Sequence, residues 1–429
     1  MLIYLKNFNL LKSAYFFLIL FLIFSGISIS VSQISLGIAI LCFIIAVYKK
    51  KIILSYTGLE KYIIPFISIS IILSFLSPKI LKNLDYIRDF WLLSAFVLVY
   101  FIYNSKENVV KTFNLIVFIT LLHSIIALIQ IYFNMSFIND AHEIGIFRHS
   151  WEHMKIRGGL LGMHLVFSCY MMLISMPVIY VSIGAIKKIK SNINCIIIFT
   201  AILSIVVLLI TRTRSIIIAL PFAVVPLLFV NKKFRVIAIS FLIILSILAI
   251  LLLIYRGQDQ LSAQNKGSII DSFSTEQRQK IWKTAFYVWL KHPIIGAGGG
   301  NYLDEFRVVV KEHPEWDTGM VTHAHNDYLN QLARKGIIGF AAFLYMLFGI
   351  FKYMAINFKF IQDKLLKGIY LGLFGAYCVF LVASLFQCFY TDDENLVMFW
   401  FNIGLLAAIV KIEKSNMENN ILNKESAAN

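Results

Sequence analysis

Charge is scarce in this chain of 429 residues: only 14% are Asp, Glu, Lys or Arg, against 59% hydrophobic residues. A soluble domain of this size cannot cover its surface with so few charges, which excludes an ordinary globular enzyme. Acidic residues are the rarer kind, 23 against 39 basic ones, leaving a formal charge of +16. Nucleic acid could answer such an excess, but the basic residues stand in short clusters between apolar runs. That is the pattern of topology signals and lipid-headgroup contacts, so no nucleic-acid partner is expected. Cysteine is sparse too, and Cys42, Cys169, Cys195, Cys378 and Cys388 all fall inside apolar runs. Neither a disulfide framework nor a thiolate metal site follows from that placement. A small-residue cleavage site after the first apolar run is also lacking, which predicts a retained span. No repeat on the order of 20–50 residues appears.

What the chain has in abundance is long apolar runs, many reaching the ~20 residues needed to cross ~30 Å of hydrocarbon. They predict an all-α polytopic membrane protein of about twelve spans: 13–31, 34–48, 62–77, 90–104, 112–133, 160–184, 193–211, 215–230, 236–255, 337–355, 369–389 and 395–411. With the N-terminus inside, the inner loops collect Lys49 to Lys51, Lys106 and Lys111, Lys187, Lys188 and Lys190, Lys232 and Lys233, Lys352 to Lys367, and Lys411 and Lys414. The positive-inside rule therefore places both termini in the cytoplasm. Residues 1–255 hold spans one to nine, interrupted by an outer loop at 134–159. Residues 256–336 form a large outer loop long enough for a helical subdomain, and 337–411 hold the last three spans. Residues 412–429 are a polar cytoplasmic tail, expected to be disordered from Met417 onward. Within the large loop, Thr275 to Leu290 reads as an amphipathic helix with Ile281, Trp282, Ala285, Phe286 and Trp289 on one face.

Chemistry-bearing residues gather at the outer surface of this topology. Val321 to Phe340 is the densest stretch, with His323, His325, Asn326, Asp327, Asn330, Gln331 and Arg334 in twelve residues. A histidine is the side chain best suited to move a proton near neutral pH; a wet loop ending in a helix cap is the plain alternative. Thr211-Arg212-Thr213-Arg214-Ser215 puts two arginines where the charge rule disfavours them, and a guanidinium's planar fork suits phosphate oxygens. Lipid headgroups would satisfy them equally. Arg278-Gln279-Lys280-Ile281-Trp282 adds a third arginine, which a solvated helix face would also explain. The acidic triplet Asp392-Asp393-Glu394 faces the same compartment. Two further motifs lead elsewhere. The glycine run at 296–300 lacks the Gly-Lys-Ser/Thr ending of a phosphate loop and reads as a tight turn. His149-Ser150-Trp151-Glu152-His153 has inverted-zincin spacing but no third ligand, so no metal is expected there.

These motifs together resemble one family, the O-antigen ligases and related O-antigen polymerases of the bacterial envelope. The ligase signature is His, then Asn/Ser/Gln, nine residues, Gly, two residues, and Gly/Thr/Tyr. His325-Asn326 followed by Gly336-Ile337-Ile338-Gly339 fits it without a gap. Arg278-x-x-x-Trp282 and His292-Pro293-x-x-Gly296-x-Gly298 look like the family's preceding loop. Thr213-Arg214-Ser215 looks like its Ser-Arg-Gly pattern with two substitutions, and Arg157-Gly158-Gly159 like its element after the first large loop. The resemblance implies lipopolysaccharide biosynthesis at the bacterial inner membrane, by a metal-independent, inverting glycosyltransferase without cofactor whose active site faces the periplasm. The donor would be a glycan on undecaprenyl diphosphate and the acceptor a hydroxyl of lipid A–core. His325 would be the catalytic base, with Arg214 and Arg278 on the diphosphate. Arg212, Arg157, Asn326 and Asp393 would contact substrate. An O-antigen polymerase shares the donor chemistry. A protein O-glycosyltransferase would carry a longer C-terminal region, and a lipid-linked glycan transporter would hold its charges nearer the bilayer midplane.

Overall fold

The computed structural model describes residues 10–77, 79–133, 161, 164–185, 192–211, 213–244, 269–319 and 322–428. Among them there are only helices and loops. The chain opens with a hairpin of α1 (Leu10–Phe24) and α2 (Ile29–Tyr48). Its turn at residues 25–28 lies earlier than the hydropathy break near residue 32, because Ser28 stops one helix and its hydroxyl caps the next through the amide of Val31. α3 (Glu60–Leu76) is followed by the short α4 (Ile80–Ile87), a 3-10 turn Arg88–Leu93, and α5 (Ser94–Ile102). The expected span 90–104 is thus a two-part element. Then come α6 (Lys106–Tyr132), α7 (His164–Ala185), α8 (Asn192–Ile210), and α9 (Arg214–Ala219), which tightens into a 3-10 segment over Leu220–Phe229. Pro221 and Pro226 lie in that segment. Each lacks the N–H that an α-helical ladder would use. Residues 232–244 form α10, the described part of the expected ninth span.

Residues 269–319 build a small helical unit. It comprises α11 (Ile269–Lys291) and α12 (Tyr302–Glu312). The unit has its own apolar core of Ile281, Ala285, Val288, Tyr302, Phe306 and Val309, joined by Ala333 from the next helix. The buried face of α11 is therefore Ile281, Ala285 and Val288, with Trp289 packed at its edge. Phe286, expected on that face, is 43% exposed instead. Positions 281, 285 and 288 follow the 3-4 spacing of one stripe, whereas 282, 286 and 289 form the neighbouring one. α13 (Asp327–Asn357), α14 (Lys364–Ala383) and α15 (Asp393–Ala428) close the chain. α13 begins ten residues before the expected span, so its first turns belong to the small unit. α15 runs without a break through the tail expected to be disordered.

Seven of these helices are long and apolar enough to cross a membrane: α2, α6, α7, α8, α13, α14 and α15; α1, α5 with the turn before it, and α9 with its 3-10 extension are apolar but shorter. α15 is the central one, with 94% of its apolar window buried, against 33% for α8. Around it α2 and α8 present Ile34, Leu41, Phe199 and Ile202 outward, an apolar perimeter of the kind that lipid covers. The polar contacts divide between two ends. At one end Lys106 pairs with Asp363 at 2.5 Å, Glu413 accepts from the amides of Gln362 and Asp363, and Lys411 donates to Asn104 and to the Tyr100 carbonyl. The other end carries the 269–319 unit and the His325 segment.

Candidate active site

His325 precedes a helix start, and the local sequence explains its posture. Asn326 is extended, and its Oδ1 accepts from the amide of Leu329 at 3.0 Å, capping α13. His325 itself has φ +46°, a left-handed conformation that histidine adopts more readily than most residues. Its Nδ1 donates to Gln387 Oε1 at 2.8 Å, which leaves the Nε2 lone pair free to take a proton. Burial lowers the pKa of His325 and the nearby Arg278 charge lowers it further, against the opposing pull of Gln387. The imidazole is therefore neutral at pH 7, as a general base must be. His323, whose ring lies 4.4 Å from that of His325, is pushed down to about 4 by burial and by its neighbour.

Arg278 stands on the first half of α11, half buried, with no carboxylate partner among the described residues. Burial and the charge of Arg214 both lower its pKa. Arg278 thus lies within electrostatic reach of both Arg214 and His325. Three segments far apart in sequence deliver two guanidiniums and one neutral imidazole to the same end of the bundle. Repulsion between two neighbouring guanidiniums is unfavourable unless an anion joins them. Thr213 and Ser215 flank Arg214 with buried hydroxyls, and neither oxygen has a hydrogen-bond partner among the described residues.

The other expected site residues separate. Asn326 is engaged as the helix cap, and Asp393 accepts from Gln33 Nε2 of α2 at 3.2 Å. Arg212 and Arg157 lie outside the described residues, as do the motifs at 149–153 and 157–159. Of the acidic triplet the deeply placed carboxyl is Asp392, raised to about 7 by burial and then by Glu394. The carboxylate that ties the histidine segment down is Asp327: its Oδ2 accepts from the Tyr390 amide at 3.0 Å, while its own amide donates to the Ser384 carbonyl at 2.8 Å. Sequence reasoning passed over Gln387, and it counted Asp327 in the polar stretch without giving it a role. Gln387 lay inside the expected span 369–389, whereas α14 ends at Ala383 and leaves residues 384–388 to turn toward His325. A Ser and a Gln at the end of an otherwise apolar run were the available signal. Among the described residues no three His, Cys, Asp or Glu converge as metal ligands.

Two glycine motifs, forty residues apart, prove to be one structure. At Gly336 α13 kinks, with φ +62° and ψ −170°, a region essentially reserved for glycine. The loop at 293–298 lies along the kink: Ala297 and Gly298 donate to the carbonyls of Ala333 and Arg334, while Ile337 and Ile338 donate to those of Pro293 and Ile294. A Cβ on Gly336 would sit 2.3 Å from the Ile294 oxygen, and one on Gly296 would sit 2.4 Å from the backbone at 334–336. The glycine run is therefore a backbone clasp that holds α11 and its arginine against the histidine segment. Gly336→Ala should lower thermal stability in detergent by at least the ~1–3 kcal/mol of a forbidden backbone conformation. It should also scatter the site. An unchanged melting temperature would show that the clasp contributes nothing.

Residues 199–344 match the family described as O-antigen ligase, a stretch that contains Arg214, Arg278, His325 and the Gly336 kink. No curated protein matches the chain.

Proposed function

We propose that this membrane protein is an O-antigen ligase, a reading that the match of residues 199–344 to the family of that description supports. It moves a glycan from undecaprenyl diphosphate to a sugar hydroxyl of lipid A–core, at the periplasmic face of the bacterial inner membrane. The observation that supports the reading is that Arg278 lies within electrostatic reach of both Arg214 and the neutral His325. In the proposed reaction His325 Nε2 takes the proton of the acceptor hydroxyl while its oxygen attacks the anomeric carbon from the face opposite the leaving group. The bond from that carbon to the diphosphate oxygen breaks with inversion. Arg214 and Arg278 bind the diphosphate and stabilise the charge it gains as it leaves. Twelve crossings with both termini in the cytoplasm put this end outside, since the lysine clusters then lie inside.

The test is the lipopolysaccharide of a deletion strain. Unsubstituted core with lipid-linked polymer accumulating supports a ligase, whereas core bearing a single repeat means an O-antigen polymerase. The arginine assignment makes a separate prediction. Since two guanidiniums are placed where a metal would otherwise offset leaving-group charge, transfer by the purified protein should persist in EDTA. Activity abolished by EDTA and restored by Mg²⁺ or Mn²⁺ would overturn that assignment.

A further inference from the structure

A small open cavity lies beside the kink, lined by none of the three residues above. Ser70, Ser74, Phe90, Gly299, Arg334 and Lys335 line it. Lys335 dominates it. The ammonium donates to Ser70 Oγ at 2.9 Å and sits over the rings of Phe66 and Phe90, 4.3 and 5.6 Å from their centroids. Among the described residues no carboxylate reaches ion-pair distance of it. An ammonium has three donors, and here a single hydroxyl accepts from it. The ring faces offset only part of the loss of water. Ser70 accepts that hydrogen bond and keeps its own proton to donate onward. Arg334 contributes to the wall beside the glycine loop, its carbonyl accepting from the Gly298 amide, while its guanidinium packs 4.8 Å from the Tyr302 ring centroid.

The rest of the wall is backbone. Gly298 and Gly299 face the cavity, and the Gly300 amide is held by Asn83 Oδ1 at 2.7 Å. The surroundings are apolar and outward-facing: Ile72, Phe75 and Leu76 on α3, and Ile337 and Ile338 immediately after Lys335. A cationic cavity at the edge of a lipid-facing surface has the chemistry of a headgroup site. A snorkelling lysine alone would be expected to extend into water, not to fold between two rings and a serine.

We propose that this cavity binds a phosphate group, held by the Lys335 ammonium and the Ser70 hydroxyl. The inference does not depend on the transfer reaction. It is tested on the purified full-length protein by native mass spectrometry with equimolar phosphatidic acid and phosphatidylcholine, and by thermal shift with inorganic phosphate against chloride at equal ionic strength. Wild type should retain one phosphatidic acid in preference to phosphatidylcholine if the phosphate is lipid-borne, or be stabilised by inorganic phosphate if it is free. Lys335→Met should weaken whichever binding is seen by about tenfold or more, the loss expected for a charge-assisted hydrogen bond. Ser74→Glu, which sets a carboxylate in the cavity and leaves the lysine in place, should do the same and serves if Lys335→Met does not fold. Arg278→Ala should leave this binding unchanged. Neither ligand bound, binding untouched by both cavity variants, or binding lost in Arg278→Ala alone would overturn the proposal.

Discussion

His325→Ala is expected to lower turnover by about two to four orders of magnitude, the range for a general base, while donor binding stays nearly intact. The two halves of that expectation have separate causes. A base acts only as the acceptor hydroxyl loses its proton, so its removal is felt in the transition state. A neutral imidazole contributes little to holding a diphosphate. The pH dependence follows in sign from the same geometry. Burial and Arg278 lower the pKa of His325, so the base remains unprotonated below the ordinary imidazole value of ~6.5. The acid limb of the single-turnover rate should lie below that value. Gln387→Glu puts a carboxylate on Nδ1, favours the imidazolium and should move the limb upward. Single-turnover rates and donor affinity, measured on monodisperse wild type and variants, decide the matter. Normal turnover by His325→Ala would reduce the segment to a helix cap.

The helices were legible because long apolar runs have one stable form in lipid, and Arg214, Arg278 and His325 stood out as candidates because charge at the hydrocarbon edge is conspicuous. Less legible were features that depend on the meeting of distant backbone. The hairpin turn at residues 25–28 is set by Ser28 capping inside a run that hydropathy treats as continuous. Gln387 looked like part of a span because one Ser and one Gln are a weak mark of where α14 stops. The glycine run at 296–300 read correctly as a tight turn, but its partner at Gly336 could be found only where the two backbones touch. Asp393 was chosen for its charge and compartment, and its contact is with Gln33. A charge's compartment can be read from a sequence; its neighbour on another helix cannot.

Arg278→Ala should cost about two to three orders of magnitude in turnover, as loss of a preorganised donor to a developing anion does, and unlike His325→Ala it should also weaken donor binding. The diphosphate is charged before and during reaction, so Arg278 contacts it in both states. Arg278→Lys should recover part of the binding, since an ammonium restores the charge but not the two-pronged fork. Arg214→Ala should weaken binding in the same manner. The two losses should not add, because each guanidinium raises the cost of the other when no anion is present. A further signature separates Arg278 from a residue that merely supports the fold. Its charge helps hold His325 neutral, so Arg278→Ala should shift the acid limb of the rate profile upward, and Arg278→Lys should leave it near the wild-type position. Donor affinity, single-turnover rate and acid limb measured across these variants and the double mutant make the comparison. Full donor affinity with an unmoved acid limb in Arg278→Ala would mean that the arginine faces neither the diphosphate nor the histidine, and the proposed division of labour would fail.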